Sequence, residues 1–266
     1  MDQRDNSPAI DVIIPNWNGL RFLPACLTSL AAQSYVSLQV IVVDNGSEDG
    51  SLDYLRLEHP QVRLITLYKN KGFSAAVNAG IRSSTAPYVF LLNNDTELDE
   101  NCVQHLASIA EELQEFDFFA PKMLNFHDRT MLDGAGDGYL RGGAGYRLGT
   151  MEQDGPAYNQ PGPVFGACAG AVLYRRALFE QIGLFDEDFF AYLEDVDLNL
   201  RINRAGKKGY YVPAAEVYHI GSATSGSKIN PFTVRLSTRN SFYVLLKNYS
   251  VSLFLRFLPV ILVYQF

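Results

Sequence analysis

Cysteine is scarce in this chain, and positive charge is in the minority. The 266 residues include three cysteines, which form no Cys-x-x-Cys pair: Cys26, Cys102 and Cys168. An odd, scattered set predicts buried, reduced thiols in a cytoplasmic protein rather than a disulfide framework. Lysine and arginine total 22 against 29 aspartates and glutamates, which gives a formal net charge of −7. This balance argues against a nucleic-acid partner, because such proteins carry basic clusters.

Long apolar runs are also rare. Residues 1–8 are polar, so no signal-peptide core is expected there. Residues 251–266 are almost wholly apolar, but Arg256 and Pro259 interrupt them, and the run is shorter than the ~20 residues of a membrane-spanning helix. We expect 246–266 to form a helix that either lies at a membrane interface or packs on the main domain.

Apolar strands and amphipathic helices alternate through the first hundred residues. Strands are predicted at 10–14, 40–43, 62–67 and 88–92, and helices at 20–34, 51–58, 74–82 and about 99–114. Repeated strand–helix units with β-branched strands predict an α/β fold, in which helices cover both faces of a mostly parallel sheet. Ligands of such sheets bind beyond the carboxyl ends of the strands. Polar residues stand at four of these ends: 15–18, 44–49, 69–72 and 93–95.

The second half of the chain is less regular. Residues 133–166 are rich in glycine and tyrosine, which is typical of loops and short strands. A long loop that stays ordered within a compact domain is usually a lid or a recognition element. Further elements are predicted beyond it: a strand at 169–174, a helix at 176–182, an acidic helix to Asn203, and short strands at 210–213 and 216–219.

Two groups of polar residues suggest chemistry. In Phe189-Phe-Ala-Tyr-Leu-Glu-Asp-Val-Asp197, three carboxylates follow aromatic and apolar residues. Burial in such surroundings raises the pKa of a carboxyl group toward the range that suits a general base. The other group, Asn93-Asn94-Asp95, directly follows the strand at 88–92. One site that suits a base and one that suits a metal indicate an enzyme with a phosphorylated substrate.

A series of short motifs extends this interpretation along the chain. In order, they are Pro15-Asn-Trp-Asn-Gly19, Val43-Asp-Asn-Gly-Ser47, Asn70-Lys-Gly-Phe73, Asn78-Ala-Gly80, Leu92-Asn-Asn-Asp-Thr96, Phe165-Gly-Ala-Cys-Ala-Gly170, Glu194-Asp195-Val-Asp197, Arg201 and Val217-Tyr-His219. Together they resemble inverting glycosyltransferase family 2 over about residues 10–245. The glycine-rich middle and residues 192–197 are most similar to the rhamnosyltransferase-like branch of surface-polysaccharide assembly.

The resemblance implies a GT-A fold, a Rossmann-like sheet flanked by helices, with an irregular acceptor-side region and a C-terminal apolar helical tail. It predicts one glycosyltransferase domain at 8–245, divided into a nucleotide-binding half at about 8–120 and an acceptor-side half at about 121–245. The implied reaction is metal-dependent, inverting transfer of a sugar, with rhamnose as one candidate, from a UDP- or dTDP-sugar. The implied acceptor is a glycan or a polyprenyl-linked glycan, met at the inner face of the cell membrane through peripheral contact of the tail.

By this resemblance, the nucleotide is held by Pro15, Trp17, Asp44, Lys71, Asn78 and Asn94. A carboxylate only accepts hydrogen bonds, so Asp44 suits the N3–H of uracil or thymine and disfavours cytosine. Trp17, the only tryptophan, is placed to stack on that base. The alternatives are that Asp44 caps the turn at 46–47 and that Trp17 belongs to the core.

The resemblance also places Mg²⁺ or Mn²⁺ on Asp95 and His219. Asn93-Asn94-Asp95 stands where the family carries an Asp-x-Asp motif, with Asn93 in place of the first carboxylate. These ions prefer hard oxygen ligands and bridge protein carboxylate to substrate phosphate, while an imidazole ligand favours Mn²⁺. Alternatively, Asp95 caps the following helix and His219 is structural. Residues 221–228 are similar to a loop that closes over the diphosphate, where Lys228 or Arg235 would add positive charge.

Asp195 matches the general base of the family, which takes the proton of the acceptor hydroxyl during a single displacement. Glu194 and Gly170 are expected near the acceptor or donor sugar. Asp197 and Arg201 lie four residues apart, which predicts a structural ion pair on one helix. The alternatives are that Asp195 belongs to a structural salt-bridge network and that the glycines of 166–170 serve close strand packing.

Two other functions remain open from the residues. A nucleotidyltransferase would share the sheet and the metal carboxylate, but residues 15–19 lack a glycine-rich, basic phosphate loop. A catalytically inactive sugar-nucleotide-binding or scaffold protein would keep the fold, and Asn93 favours that interpretation. Asp95, Asp195 and His219 favour an active enzyme.

Overall fold

A mixed β-sheet flanked by helices forms the centre of the protein. The computed structural model describes residues 7–221 and 230–265, so the segment with Lys228 lies outside the described residues. The strands are β1 (Ile10–Asn16), β2 (Leu38–Asp44), β3 (Arg63–Thr66), β4 (Tyr88–Leu92), β5 (Thr96–Leu98), β6 (Phe118–Asn125), β7 (Leu132–Gly134), β8 (Asp137–Tyr139), β9 (Gly145–Arg147), β10 (Gly162–Val164), β11 (Ala171–Arg175) and β12 (Gly209–His219). The helices are α1 (Leu23–Ala31), α2 (Ser51–Glu58), α3 (Phe73–Ser83), α4 (Cys102–Glu112), α5 (Arg176–Ile182), α6 (Glu194–Arg204), α7 (Pro231–Asn248) and α8 (Val251–Gln265).

The strand order of the sheet is β10-β12-β6-β11-β4-β1-β2-β3. The neighbours β3, β2, β1 and β4 are all parallel. β11 runs antiparallel to both β4 and β6, and β6 and β12 are again parallel. The predicted α/β fold with a mostly parallel sheet is therefore confirmed. The antiparallel strand β11 lies between β4 and β6 and so joins β6 and β12 to the parallel strands β1–β4.

The parallel strands are buried on both faces, which explains their apolar, β-branched sequences. In β1, Val12 and Ile14 face the core formed with α1 and α4, while Ile13 faces the core formed with α3. Burial of such a side chain contributes about 1.5–3 kcal/mol relative to exposure. α3 lies especially close, because a Cβ at Gly80 would sit 2.3 Å from Ile13 Cγ2. The cysteines are free thiols, as predicted.

Two element boundaries differ from the prediction. The short strands predicted at 210–213 and 216–219 form one continuous strand, β12, whose register against β6 shifts between Val212 and Glu216. Pro213 falls in that irregularity, where a strand tolerates a residue without an N–H. The predicted start of the tail, residue 246, lies inside α7, and the apolar helix α8 begins at Val251.

The tail helix α8 packs partly on the glycine-rich region. A Cβ at Gly142 would lie 2.4 Å from the ring of Tyr264, and Tyr249 Oη donates to Arg141 O at 3.0 Å. Only Ile261 of α8 is buried, and most of its apolar side chains are exposed. Among the helices within 7–221 and 230–265, none is both long and apolar enough to cross a bilayer.

An ion pair fixes α6, the helix that carries the acidic motif. Arg201 Nε lies 2.9 Å from Asp197 Oδ2, which confirms the predicted pair. The same guanidinium donates to the carbonyl groups of Ile182 and Leu184 at 2.8 Å, and Asn248 Nδ2 donates to Asp197 Oδ1 at 2.8 Å. The first turn of α6 is thereby tied to both α5 and α7.

Candidate active site

A cleft of about 570 Å³ opens at the carboxyl ends of β1 and β4, where the sequence predicts a ligand. Eight of the predicted site residues line it: Pro15, Trp17, Asn94, Asp95, Gly170, Glu194, Asp195 and His219. Residues of the hairpin β8–β9 close part of its wall, including Tyr146 and Arg147. The cleft therefore joins the ends of β1 and β4 to the glycine-rich region and to the start of α6.

Asp44 lies behind the cleft wall rather than in it. Its side chain is fully buried, its Oδ1 accepts from Asn16 Nδ2 at 3.0 Å, and its Oδ2 accepts from the backbone N–H of Ser47 at 3.0 Å. Asn94 Nδ2 extends the chain of hydrogen bonds, donating to Asn16 Oδ1 at 2.8 Å. These contacts agree with the alternative in which Asp44 caps the turn at 46–47. Contact with a nucleobase would need one of the remaining carboxylate lone pairs to become accessible, and it stays a prediction.

Asn78 and Lys71 have side chains that do not line the cleft, and their contact with a nucleotide stays a prediction. Asn78 Nδ2 donates to Phe185 O at 2.8 Å and to Glu187 Oε1 at 3.0 Å, and its Oδ1 accepts from Phe185 N at 3.1 Å. All its hydrogen-bonding groups therefore hold residues 185–187 against α3. Lys71 has an exposed side chain, and only its backbone N–H contributes, by donating to Asn45 Oδ1.

Asn45 is the residue that sequence reasoning missed in this loop. Its amide bonds Asn70 Oδ1 at 3.1 Å, Gly72 O at 3.0 Å and Lys71 N at 2.9 Å, and both Asn45 and Asn70 line the cleft. Because the turn after β2 and the loop before α3 share these bonds, they form one wall. The polar residues at both strand ends were the only signal in the sequence.

His219 connects the two halves of the cleft. Its Nδ1 lies 2.8 Å from Asp133 Oδ2, and its Nε2 lies 3.5 Å from Asp95 Oδ1. Although burial alone lowers the pKa of His219, the contacts with Asp133 and Asp95 outweigh burial and raise it to about 9. The hydrogen bond to Asp133 leaves Nε2 directed toward Asp95, and this buried nitrogen has no hydrogen-bond partner.

This arrangement fits a divalent cation. A carboxylate oxygen and an unpartnered imidazole nitrogen lie side by side, and imidazole and carboxylate are both ligands of Mn²⁺. Within the described part of the chain, no three histidine, cysteine, aspartate or glutamate side chains are grouped to hold a metal by themselves. Mg²⁺-type sites commonly use one or two carboxylates and take further ligands from substrate phosphates and water.

Arg147, Asp133 and Asp137 form a charged cluster that the sequence did not single out. Arg147 Nη1 lies 2.7 Å from Asp133 Oδ2, and its Nε lies 3.4 Å from Asp137 Oδ1. Burial raises the pKa of Asp137 to about 7, against the lowering effect of Arg147 and with a further increase from the charge of Asp195. The glycine-rich character of this region predicted a recognition element, but not which side chains it delivers.

Asp195 and Glu194 occupy the first turn of α6. Asp195 Oδ1 accepts from Val196 N at 2.8 Å and Oδ2 from Ala169 N at 3.4 Å. Burial raises the pKa of Asp195, while the charge of Arg147 and these N–H groups lower it. Burial and the charge of Asp195 raise the pKa of Glu194 to about 8, and Glu194 Oε2 is buried without a hydrogen-bond partner.

The residues before Asp195 have an unusual backbone. We call residues 189–193 the base segment. Phe190, Tyr192 and Leu193 all have positive φ, at 65°, 70° and 65°. Each such conformation costs a non-glycine residue about 1–3 kcal/mol, and it persists only where the surroundings hold it. Phe190 also lies against the loop before α3, where a Cβ at Gly72 would come within 2.4 Å of Phe190 O.

Neither residue that was predicted to bring positive charge to the diphosphate is observed in the cleft, since Lys228 lies outside the described residues. Arg235 is exposed on α7 and is not one of the residues that line the cleft.

Gly170 lines the cleft, and a Cβ added there would lie 3.1 Å from Asn93 Nδ2. A Cβ added at Gly166 would lie only 2.5 Å from the side chain of Asn199 on α6. The glycines of 166–170 thus serve both an open cleft wall and close packing on α6.

The strand order and the cleft define a GT-A glycosyltransferase fold. The chain superposes on the crystal structure of GalNAc-T7 with UDP, GalNAc and Mn²⁺ with a TM-score of 0.71 at 16% identity, over 91% of this chain and 48% of that one. It superposes on residues 1–349 of S. aureus TarS with a TM-score of 0.59 at 18% identity, over 91% of this chain and 66% of that one. The chain spans about half the length of the GalNAc-T7 chain, and likeness at these identities shows the fold alone.

The sequence model of glycosyl transferase family 2 matches residues 11–183, and the chain belongs to this family. It is 30% identical over 222 residues to the N-acetylglucosaminyl-diphospho-decaprenol L-rhamnosyltransferase of Mycobacterium tuberculosis, covering 75% of this chain and 72% of that protein. It is 29% identical over 198 residues to a PGL/p-HBAD biosynthesis glycosyltransferase of Mycobacterium bovis, covering 73% and 70%. The predicted resemblance is confirmed, and the protein is a glycosyltransferase.

The raised pKa of Glu194 predicts a pH-dependent stability. Between its ordinary pKa of 4.5 and about 8, the folded protein keeps a proton that the unfolded chain releases, so the stabilisation is complete below pH 4.5 and is lost as the pH rises through 8. Glu194→Gln removes this dependence. At about 1.4 kcal/mol per pKa unit, we expect the variant to be more stable than the parent by on the order of 4 kcal/mol at pH 8, with little difference near pH 4.5.

Urea unfolding at several pH values, without divalent cations, measures this difference. Glu112→Gln on the exposed side of α4 controls for the loss of one negative charge. Parallel loss of stability in the parent and in Glu194→Gln from pH 4.5 to 8 would contradict a protonated Glu194.

Proposed function

We propose that this glycosyltransferase inverts the anomeric configuration of its sugar and uses Mg²⁺ or Mn²⁺. One observation carries the proposal: the cleft contains two distinct functional groups. One is the pair of Asp95 and His219 with its unpartnered nitrogen, and the other is the half-buried carboxyl group of Asp195 with a raised pKa. The first suits a divalent cation beside a diphosphate, and the second suits a general base.

The proposed donor is a UDP- or dTDP-sugar. Trp17 is 38% exposed at the cleft and offers an aromatic face to a nucleobase. Asn16 and Asn94 present a hydrogen-bonded pair of amides beside it. The structurally similar GalNAc-T7 was crystallised with UDP and Mn²⁺, which supports a nucleotide and a metal in a cleft of this fold.

Asp95 and His219 would hold the ion, with Asp133 orienting the imidazole. A bound ion supplies positive charge for the leaving diphosphate. The charge of the cleft supports this assignment: five carboxyl groups line it (Asp95, Asp133, Asp137, Glu194 and Asp195), against the cationic side chains of Arg147 and His219. An ionised carboxylate beside a diphosphate repels it, so a cation at Asp95 would favour diphosphate binding.

Asp195 is the proposed base. Its carboxylate takes the proton of an acceptor hydroxyl while that oxygen forms the new bond to the anomeric carbon. The bond from that carbon to the diphosphate oxygen breaks at the same time, and the nucleoside diphosphate leaves with its electron pair. A single displacement of this kind inverts the anomeric carbon. Burial raises the pKa of Asp195, and the charge of Arg147 opposes that effect.

The proposed acceptor is a lipid-linked glycan in cell-surface polysaccharide assembly, and rhamnose is the proposed sugar. The Mycobacterium tuberculosis relative named above is an N-acetylglucosaminyl-diphospho-decaprenol L-rhamnosyltransferase. Its similarity supports both the proposed lipid-linked acceptor and the proposed sugar. The glycine-rich hairpin that carries Tyr146 and Arg147 into the cleft is covered at 142–143 by α8 and the end of α7. An acceptor that reaches the cleft past this hairpin would meet the apolar tail.

We further propose that the tail rests on the inner face of an anionic membrane. Residues 217–266 contain five basic and no acidic residues, in a chain whose net charge is −7. On α8, the exposed apolar side chains include Leu255 at 61% and Val263 at 79% exposure. Basic residues beside exposed apolar ones are typical of interfacial helices.

Replacement of the base tests the chemistry. We expect Asp195→Asn to lower turnover by about 10²- to 10⁴-fold, the usual contribution of general acid–base catalysis, and to leave UDP binding within about twofold of the parent. Asp188→Asn, which removes an exposed carboxylate just outside the base segment, should retain turnover. Turnover of the parent and both variants is measured as the release of nucleoside diphosphate from a panel of UDP- and dTDP-sugars. Full activity of Asp195→Asn would refute the role of Asp195 as the general base.

Calorimetric titration with UDP, dTDP, GDP and CDP, each with and without Mn²⁺, tests the metal site. The parent should bind UDP or dTDP more tightly when Mn²⁺ is present, and His219→Gln should lose that gain. Asp133→Asn should weaken metal affinity by about 10- to 100-fold, because it orients the ligand. His127→Gln is the control, since His127 is exposed. An unchanged Mn²⁺ gain in His219→Gln would be incompatible with His219 as a ligand.

Vesicle co-sedimentation tests the membrane surface. The protein should bind phosphatidylglycerol vesicles at low salt, bind phosphatidylcholine vesicles weakly, and be released by high salt. The double variant Leu255→Glu/Val263→Glu should lose binding, whereas Leu57→Glu, at an exposed position on α2, should keep it. Equal recovery of the parent with and without anionic vesicles would rule out the surface.

A further inference from the structure

One side chain of α7 donates hydrogen bonds to three carbonyl groups of the base segment. Asn240 Nδ2 lies 3.0 Å from Phe189 O, 2.9 Å from Ala191 O and 2.7 Å from Tyr192 O. Asn240 is fully buried. An amide has two N–H protons, so the three carbonyl groups share them. All three acceptors belong to the base segment, which directly precedes Glu194 and Asp195.

Arg239 sets the orientation of this amide. Its Nε donates to Asn240 Oδ1 at 2.9 Å, which leaves Asn240 Nδ2 facing the base segment. Its Nη2 donates to Asp188 O at 2.9 Å and to Phe189 O at 2.8 Å. Two consecutive residues of α7 therefore bind the backbone on which the catalytic carboxyl group depends.

The base segment needs such support because of its conformation. Phe190, Tyr192 and Leu193 adopt positive φ without being glycine, and Leu193 caps α6 without a side-chain hydrogen bond. Backbone of this kind reverts to ordinary conformations unless neighbouring groups hold it. Asn240 binds the carbonyl groups of Phe189 and Ala191, which flank Phe190, and that of Tyr192. These hydrogen bonds therefore oppose the return of the base segment to an ordinary backbone conformation.

We propose that Asn240 is a positioning residue for glycosyl transfer, which holds the base segment in its left-handed conformation and thereby keeps Asp195 in place in the cleft. The inference rests on the proposed role of Asp195 as the base. Asn240 is not one of the residues that line the cleft, so it acts on turnover only through the base segment. A catalytic group displaced by about 1 Å can lose roughly 10²-fold in rate, while substrate binding is little changed.

Asn240→Ala tests the proposal through a split between kcat and KM. We expect kcat to fall by roughly 10²-fold, with KM for the donor and UDP affinity within about threefold of the parent. Ser241→Ala is the control: Ser241 is the next residue of α7, and its hydroxyl group bonds Thr238 O and Gln265 Oε1 rather than the base segment or α6. The control should keep kcat within about threefold. Equal losses of kcat in the two variants would overturn the proposal.

A second substitution gives a readout that general destabilisation would not produce. Leu193→Asn places a residue that tolerates left-handed backbone at one of the strained positions. In the Asn240→Ala background, it should restore kcat at least about fivefold, because the conformation then depends less on Asn240. Absence of any restoration would contradict the positioning role.

If Asn240→Ala does not fold, Arg239→Ala replaces it, since Arg239 is only partly buried. A fall in kcat of about tenfold with unchanged UDP affinity supports the proposal, and parental kcat overturns it. Asp195→Asn separates the two claims. Turnover by Asp195→Asn refutes the proposed base, whereas an inactive Asp195→Asn together with parental kcat in the α7 variant refutes only the positioning role.

Discussion

The cleft crowds five carboxyl groups around the cationic side chains of Arg147 and His219, and the shifted pKa values of the site follow from this crowding. Burial and mutual repulsion raise the pKa of Glu194 and Asp137, and flanking carboxylates raise that of His219. Arg147 reduces the repulsion between the hairpin and α6. Such a site suits the proposed cation, and burial raises the pKa of Asp195 in the direction that suits the proposed general base.

The fold brings these groups together from distant parts of the chain. The parallel strands place Asn16, Asn45 and Asp95 at one edge of the sheet, as the strand–helix alternation requires. The antiparallel strand β11 and the long strand β12 then return the second half of the chain to the same edge. His219 ends β12 beside Asp95, and α6 begins with the proposed base. The arrangement is completed by α7, whose side chains hold the base segment.

The sequence predicted the parallel half of the sheet well, because β-branched strands and amphipathic helices follow local rules of periodicity. It also placed Asp95, Asp195 and His219 in one cleft through the order of short motifs. It did not reveal that Asn78 bonds residues 185–187, since a motif shows that an amide matters but not which neighbouring loop it binds. Arg147 was missed because glycine-rich segments have no periodicity from which side-chain direction can be inferred. Asn240 was invisible for a different reason: its partners are backbone carbonyl groups about fifty residues away, which leave no pattern in the sequence.

The central claim is a single displacement at the anomeric carbon, assisted by a base on α6 and a cation near β12. Proton NMR of the sugar first released by slow hydrolysis of the donor tests it most directly, with Mg²⁺ as the ion and a panel of UDP- and dTDP-sugars as substrates. Water then takes the place of the acceptor. The account predicts that the released sugar first appears with the anomeric configuration opposite to that of the donor. Initial release with the configuration of the donor would contradict it.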